Sequence, residues 1–85
     1  MTYKVIISRQ AVKEIKKLPK STILKVHSKI TSLSKNPRPS GVVKLVSYDN
    51  LWRVRVGNYR IIYTIEDKIK VVDVREVVNR KDAYK

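Results

Sequence analysis

The chain contains no cysteine, which excludes a disulfide framework, a thiolate metal site and a cysteine nucleophile. His27 is its only histidine, so neither a histidine metal cluster nor a paired-imidazole acid–base site can form, and its place one turn after Ile23 suits the border of a helix face. Gly41 and Gly57 are the only glycines, which leaves no glycine-rich phosphate loop. No apolar run approaches the roughly 20 residues that span a bilayer. The opening MTYKVIISRQ reaches Ser-Arg-Gln before any signal-like apolar stretch develops. The expectation is a cytoplasmic protein with no membrane partner, no metal and no other cofactor. Acidic side chains are scarce as well, 7 Asp plus Glu against 20 Lys plus Arg, for a net charge of +13. Such a field on a small body favours a polyanionic partner, with nucleic acid the commonest and an anionic membrane or an acidic protein the other classes.

What is present suits one domain over residues 1–85, because 85 residues with 42% hydrophobic content close a single modest core and not two. YKVIIS predicts a first strand over Tyr3 to Ile7. Ser8 then caps a helix whose apolar positions Val12, Ile15 and Leu18 run to Pro19, with Lys13, Lys16 and Lys17 on its other face. Ile23, Val26, Ile30 and Leu33 form the stripe of a second helix that starts after Pro19 and ends near Lys35. NPRPSG, Asn36 to Gly41, is a loop by composition. Strand periodicity follows over Val43 to Tyr48, Leu51 to Val56, Tyr59 to Ile65 and Ile69 to Val77. The order predicts an α+β fold: an N-terminal strand, a helical hairpin, then four antiparallel strands in one sheet, with the helices on one face and the other face open.

One stretch, LWRVRVGNYR, holds Arg53, Arg55 and Arg60 with nothing acidic beside them. A two-residue turn at Gly57-Asn58 pairs Val56 with Tyr59, Arg55 with Arg60, Val54 with Ile61 and Arg53 with Ile62. The three arginines then share one face, while Trp52, Val54, Val56, Tyr59, Ile61 and Tyr63 share the core face, Trp52 opposite Tyr63. Like charges opposite each other destabilise a ladder unless an anion sits between them. The plainer reading is that the arginines solvate an open sheet face. Tyr48, in the adjoining turn, is suited either to stacking on a base or to packing over the sheet edge.

In this order of pieces the chain resembles the RelE/ParE toxin family of bacterial toxin–antitoxin systems, and its RelE-like branch in particular. The resemblance runs from the opening strand through EIKKLPK and NPRPSG to LWRVRVGNYRIIYTIEDKIKVVDVREVVNRKDAYK. There a basic-x-basic strand, a Gly-x-Tyr-Arg turn and a C-terminal Arg followed by Tyr stand in the family's order. The resemblance implies a metal-independent endoribonuclease that cuts messenger RNA in the decoding site of the ribosome and is silenced by an acidic antitoxin in a hetero-oligomer. It places Arg53 and Arg55 at the basic-x-basic positions, Arg60 at the turn arginine, and Arg80 and Tyr84 at the C-terminal pair, all five in the catalytic set. Lys44 and Lys81 are secondary phosphate contacts within it, with surface solvation the default for each.

The chemistry implied is attack of a 2′-hydroxyl on the adjacent phosphate, which needs a base, donors for the charge that builds on phosphorus-bound oxygen, and help for the departing 5′-oxygen. Many relatives carry Lys at the basic-x-basic positions. Arginine stays charged, so Arg53 and Arg55 suit phosphate stabilisation and not proton transfer. Asn79, where relatives often hold His or Lys, cannot titrate. Within the resemblance Tyr84 is the candidate base, since neighbouring arginines favour phenolate; stacking on a base and packing on the sheet edge are the other roles open to it. Two other functions fit the same composition: a ParE-like inhibitor of DNA gyrase, and a non-catalytic basic module that binds RNA or an antitoxin.

Overall fold

The computed structural model describes residues 2–46 and 48–79. Arg80, Lys81 and Tyr84 lie outside the described residues. The elements run β1 (Lys4–Ile7), α1 (Arg9–Lys16), α2 (Lys20–Leu33), β2 (Val43–Lys44), β3 (Leu51–Val56), β4 (Tyr59–Glu66) and β5 (Val71–Asn79). The strands form one five-stranded sheet in the order β1-β5-β4-β3-β2. Every pairing is antiparallel except β1 with β5, which is parallel. The α+β class read from the sequence is therefore the observed one.

The β3–β4 hairpin has the predicted register, from Val56↔Tyr59 through Arg55↔Arg60 to Trp52↔Tyr63. Gly57 alone in the turn takes a positive φ, 58°, which glycine adopts without steric cost at the first central position of a II′ hairpin turn. Side chains that point toward the helices from this hairpin, Val54, Val56, Ile61 and Tyr63, join Val72, Val74 and Val77 of β5 and Ala11, Val26, Ile30 and Leu33 of the helices in one buried cluster. Both helices thus cover the same face, as the stripe Ile23-Val26-Ile30-Leu33 requires.

Ser8 has the predicted capping role: its Oγ accepts from the Ala11 amide at 3.1 Å and donates to the Arg75 carbonyl at 2.8 Å. Glu14 of α1 accepts from the Val77 amide at 2.8 Å. Helix α1 in this way satisfies backbone groups of β5 beyond the point where β1 has ended.

Several boundaries differ from the sequence reading. The predicted strand Val43 to Tyr48 shrinks to Val43–Lys44. The pairing Lys44↔Trp52 and the bond from the Leu45 amide to the Leu51 carbonyl, 2.8 Å, already fold the chain back beyond Lys44, so the strand cannot run on to Tyr48. Strand β5 starts at Val71 and runs to Asn79, because Ile69 and Lys70 are spent on the turn, where Lys70 has φ 56°. Tyr3 precedes β1, with its amide bonded to the Ser34 carbonyl at 2.6 Å, and α2 ends at Leu33. Among the described residues no helix is long and apolar enough to cross a membrane.

Candidate functional site on the open sheet face

The register fixes which side chains point away from the helices. Leu51, Arg53 and Arg55 of β3 lie on that face beside Thr64, Ile62 and Arg60 of β4, with Val43 next to Arg53 on the edge strand and Val78 beyond Arg60 on β5. At the turn end of this face, Arg53, Arg55 and Arg60 line a cleft of ≈ 150 Å³ together with Gly41 and Val43. Three arginine side chains thus meet at one small cleft.

They are not equally exposed. Arg55 is exposed and Arg53 half-buried, while Arg60 retains only 9% of its accessible surface. Ile62, on the same face, retains 7% without joining the core under the helices. The face is therefore cationic but not fully open, which corrects the expectation of an uncovered sheet surface. Arg55 folds back on its hairpin, its Nε donating to the Gly57 carbonyl at 3.0 Å, and this fixes the direction of its outer guanidinium nitrogens.

Among the described residues, four acidic side chains are bonded to groups other than the three arginines. Asp67 is bonded to Arg38 and Tyr3, Asp73 to Arg75, Glu66 to Asn50 and Glu14 to the Val77 amide. On the open face the register places Glu66 and Asp73 toward the end opposite the Gly57 turn, while Glu76 pairs with Ile62 and so stands in the same row as Arg53, on the far side of Ile62. Arg75 has no counterpart on β4, because Ile62 pairs with Glu76 and Tyr63 with Val74. This bulge re-aims β5 in mid-sheet, and no periodicity in the sequence signals it.

Lys44 is not brought to the cleft. Its pairing with Trp52 places it on the helix-side face, where its ammonium lies 5.7 Å from the Trp52 ring centroid, within cation–π range. Asn79 ends β5 opposite Tyr59. Tyr48 is exposed. His27 is exposed on α2 and borders an apolar groove with Ile7, Val12 and Ile23, as a border position would. No group of three or more His, Asp or Glu able to hold a metal occurs among the described residues.

A second cluster, absent from the sequence reading, ties the 36–41 loop to the β4–β5 turn. Arg38 donates from Nη1 and Nη2 to the two Asp67 carboxylate oxygens at 3.2 and 2.8 Å, and its guanidinium lies 4.9 Å from the Trp52 centroid. The Tyr3 hydroxyl donates to the same carboxylate at 2.6 Å. These bonds, that from Arg38 first, hold the Asp67 carboxyl down at about 2 and raise Arg38. Beneath them Tyr63, fully buried, donates its hydroxyl to the Pro37 carbonyl at 2.7 Å. Burial pushes its phenol up to about 12, against the opposing pull of Arg38.

A small, strongly basic α+β domain with an arginine cleft on the sheet face away from its helices is the class these observations define. Comparison with known proteins gives it a family. The family model described as the ParE toxin of type II toxin–antitoxin systems matches residues 5–84, and the chain belongs to that toxin family. RelE1 and the toxin RelE3 of Methanocaldococcus jannaschii are 31% and 34% identical to it, over 100% and 95% of this chain and 98% and 94% of theirs. The toxin chain of the RelE–RelB complex of Pyrococcus horikoshii superposes with a TM-score of 0.85 at 34% identity, over 98% of this chain and 100% of that one. The RelE-like branch is thus the right one, and this chain is similar over nearly its whole length to a toxin seen in complex with its antitoxin.

Proposed function

We propose that this protein is the toxin of a toxin–antitoxin pair and acts as a metal-independent, ribosome-dependent endoribonuclease. The single observation that carries the reading is the convergence of Arg53, Arg55 and Arg60 on one cleft. In the reaction the 2′-oxygen attacks the adjacent phosphorus and the bond to the 5′-oxygen breaks. The products are a 2′,3′-cyclic phosphate and a 5′-hydroxyl, with one proton leaving the 2′-hydroxyl and one reaching the 5′-oxygen. The guanidinium groups bind the non-bridging phosphate oxygens and offset the charge that grows on them, an effect worth about 10²–10³ in rate for each well-placed donor. Tyr84 and Arg80 complete the proposed set, Tyr84 as base or stacking platform and Arg80 as a further phosphate donor, with Lys81 alongside. Lys44 contributes charge at the sheet edge.

The partners that fit are messenger RNA in the ribosomal decoding site and an acidic antitoxin, whose carboxylates would neutralise the cationic surface. The toxin would then work where ribosomes are, in the cytoplasm. The test is to place the purified, antitoxin-free protein on ribosomes programmed with a defined messenger RNA and to map fragment 5′ ends, with naked RNA as control. Cleavage within the decoding-site codon only with ribosomes present is the expected result. A second reading, inhibition of DNA gyrase, is favoured by the ParE name of the matching family model. A shift in plasmid supercoiling with messenger RNA intact would reverse the order of the two.

A further inference from the structure

The segment between α2 and β3 passes from the helix-covered side of the sheet to the arginine cleft, and it is fastened on one side only by side chains remote in sequence. At its start, Pro37 is buried and its carbonyl is held by the Tyr63 hydroxyl. Arg38 is clamped in bidentate fashion by Asp67 of the β4–β5 turn. Bidentate guanidinium–carboxylate pairing fixes orientation as well as distance. Trp52 is reached from both ends of the segment, by Arg38 at 4.9 Å and by Lys44 at 5.7 Å, while its indole N–H is anchored to Asn50 at 3.1 Å. Between those anchors the Val42 amide bonds to the Pro39 carbonyl at 3.1 Å. Gly41 and Val43 then form the wall of the cleft that faces Arg53, Arg55 and Arg60.

Besides these anchors the wall has Val42 packed, partly buried, against the core and the bond from the Leu45 amide to the Leu51 carbonyl. Strand β2 pairs over only Val43 and Lys44, too short to be stable by itself, and Gly41 has φ 86° with no atom within 4 Å of where a Cβ would lie. No side chain packs at Gly41 itself, so its position depends on the anchors on either side: Pro37 and Arg38 before it, and Val42 and the β2 pairing after it.

We propose that Asp67 and Tyr63 are positioning residues for the arginine cleft: through Arg38 and Pro37 they fix the 36–44 segment and so set the distance between the Gly41–Val43 wall and the three guanidinium groups. The functional half of this inference rests on the RNA reading of the cleft; the mechanical half does not. Neither residue touches the cleft. A substitution at Asp67 removes the clamp from the sheet's exterior without opening the core, which makes it the cleaner probe, and Tyr63→Phe is the companion that deletes one hydroxyl.

The test pairs amide hydrogen exchange over residues 36–45 with the affinity for a short single-stranded RNA oligonucleotide at fixed salt and with ribosome-dependent cleavage. In Asp67→Asn the Val42 amide is expected to exchange at least about tenfold faster while amides of β4 and β5 keep their protection. Oligonucleotide affinity and cleavage should fall about three- to tenfold, and Asp67→Glu should recover part of each. A purely structural role would instead lower protection throughout the sheet and would shift the unfolding midpoint in proportion. Unchanged exchange in Asp67→Asn overturns the clamp and leaves the RNA reading standing. Faster exchange with unaltered RNA affinity and cleavage overturns the link to the cleft. A wild-type protein that neither binds nor cuts RNA overturns the reading of the cleft, and the functional half of the inference with it, while the exchange result still decides the clamp.

Discussion

The two faces of the sheet solve opposite problems with the same two strands. On the helix side, β3 and β4 present Val54, Val56, Ile61, Tyr63 and Ile65, all buried in the core, and the Tyr63 hydroxyl carried into it is given a carbonyl to bond. On the far side the alternate residues of the same strands place Arg55 directly across from Arg60 and set Arg53 beside them. Stability is concentrated on the first face and is partly given up on the second, since like charges across a ladder cost a few tenths to about 1 kcal/mol. At the turn end of this face the three arginines stand together, while Glu14, Glu66, Asp67 and Asp73 are each bonded to another group. The contrast separates what holds the fold from what the fold is for.

Substitutions can break this contrast if it is wrong. The largest expected effect is on the open face: replacing Arg53, Arg55 and Arg60 together by alanine should lower ribosome-dependent cleavage by more than about 10³-fold, since each donor is worth about 10²–10³, and circular dichroism should still report the folded sheet. On the covered face Leu33→Ala, at a site with no exposed surface, should cost about 2–5 kcal/mol of unfolding free energy in a denaturant titration, with activity lost only as far as the protein unfolds. Salt sharpens the comparison. Arg55→Ala should flatten the dependence of RNA affinity on salt by about 0.7 in the log–log slope, and Val77→Ala should leave that slope unchanged.

The smallest effects are those of pH. Tyr63, raised from 10.0 to about 12, is held neutral by the fold. Its contribution is complete below pH 10 and is lost as pH rises through about 12, so Tyr63→Phe should remove part of the alkaline fall in stability. Asp67 runs the other way. Its carboxyl is lowered from 3.8 to about 2 by Arg38, Tyr3 and the nearby Lys70, so what it contributes is present above about pH 4 and fades as pH falls through about 2. Asp67→Asn should flatten the acid limb of the unfolding midpoint plotted against pH.

How far the sequence could be read follows from how local each determinant is. The β3–β4 hairpin and its two faces were legible because a glycine at the turn and a period of two fix the register within ten residues. The helix pair was legible from its apolar stripe and from Ser8. The arginine trio followed from both kinds of local signal, which is why Arg53, Arg55 and Arg60 meet as expected. What escaped was non-local. Arg38 and Asp67 lie 29 residues apart, the parallel pairing of β1 with β5 joins the two ends of the fold, and the bulge at Arg75 depends on two strands at once. The short β2 was misjudged for a similar reason: its β propensity is real, but the register with β3 leaves Val46 99% exposed in a turn. Lys44 went with it, to the Trp52 ring.

One paired measurement tests the role of the arginine cleft most directly: the cleavage rate constant on programmed ribosomes and the thermal unfolding midpoint, both for Arg55→Ala against wild type. Arg55 is exposed and opposes Arg60 in the ladder, so the account predicts a loss of about 10²-fold or more in cleavage with a midpoint that is unchanged or higher. Full cleavage by a variant with an unchanged midpoint would contradict it, because the arginines would then do no more than solvate the sheet.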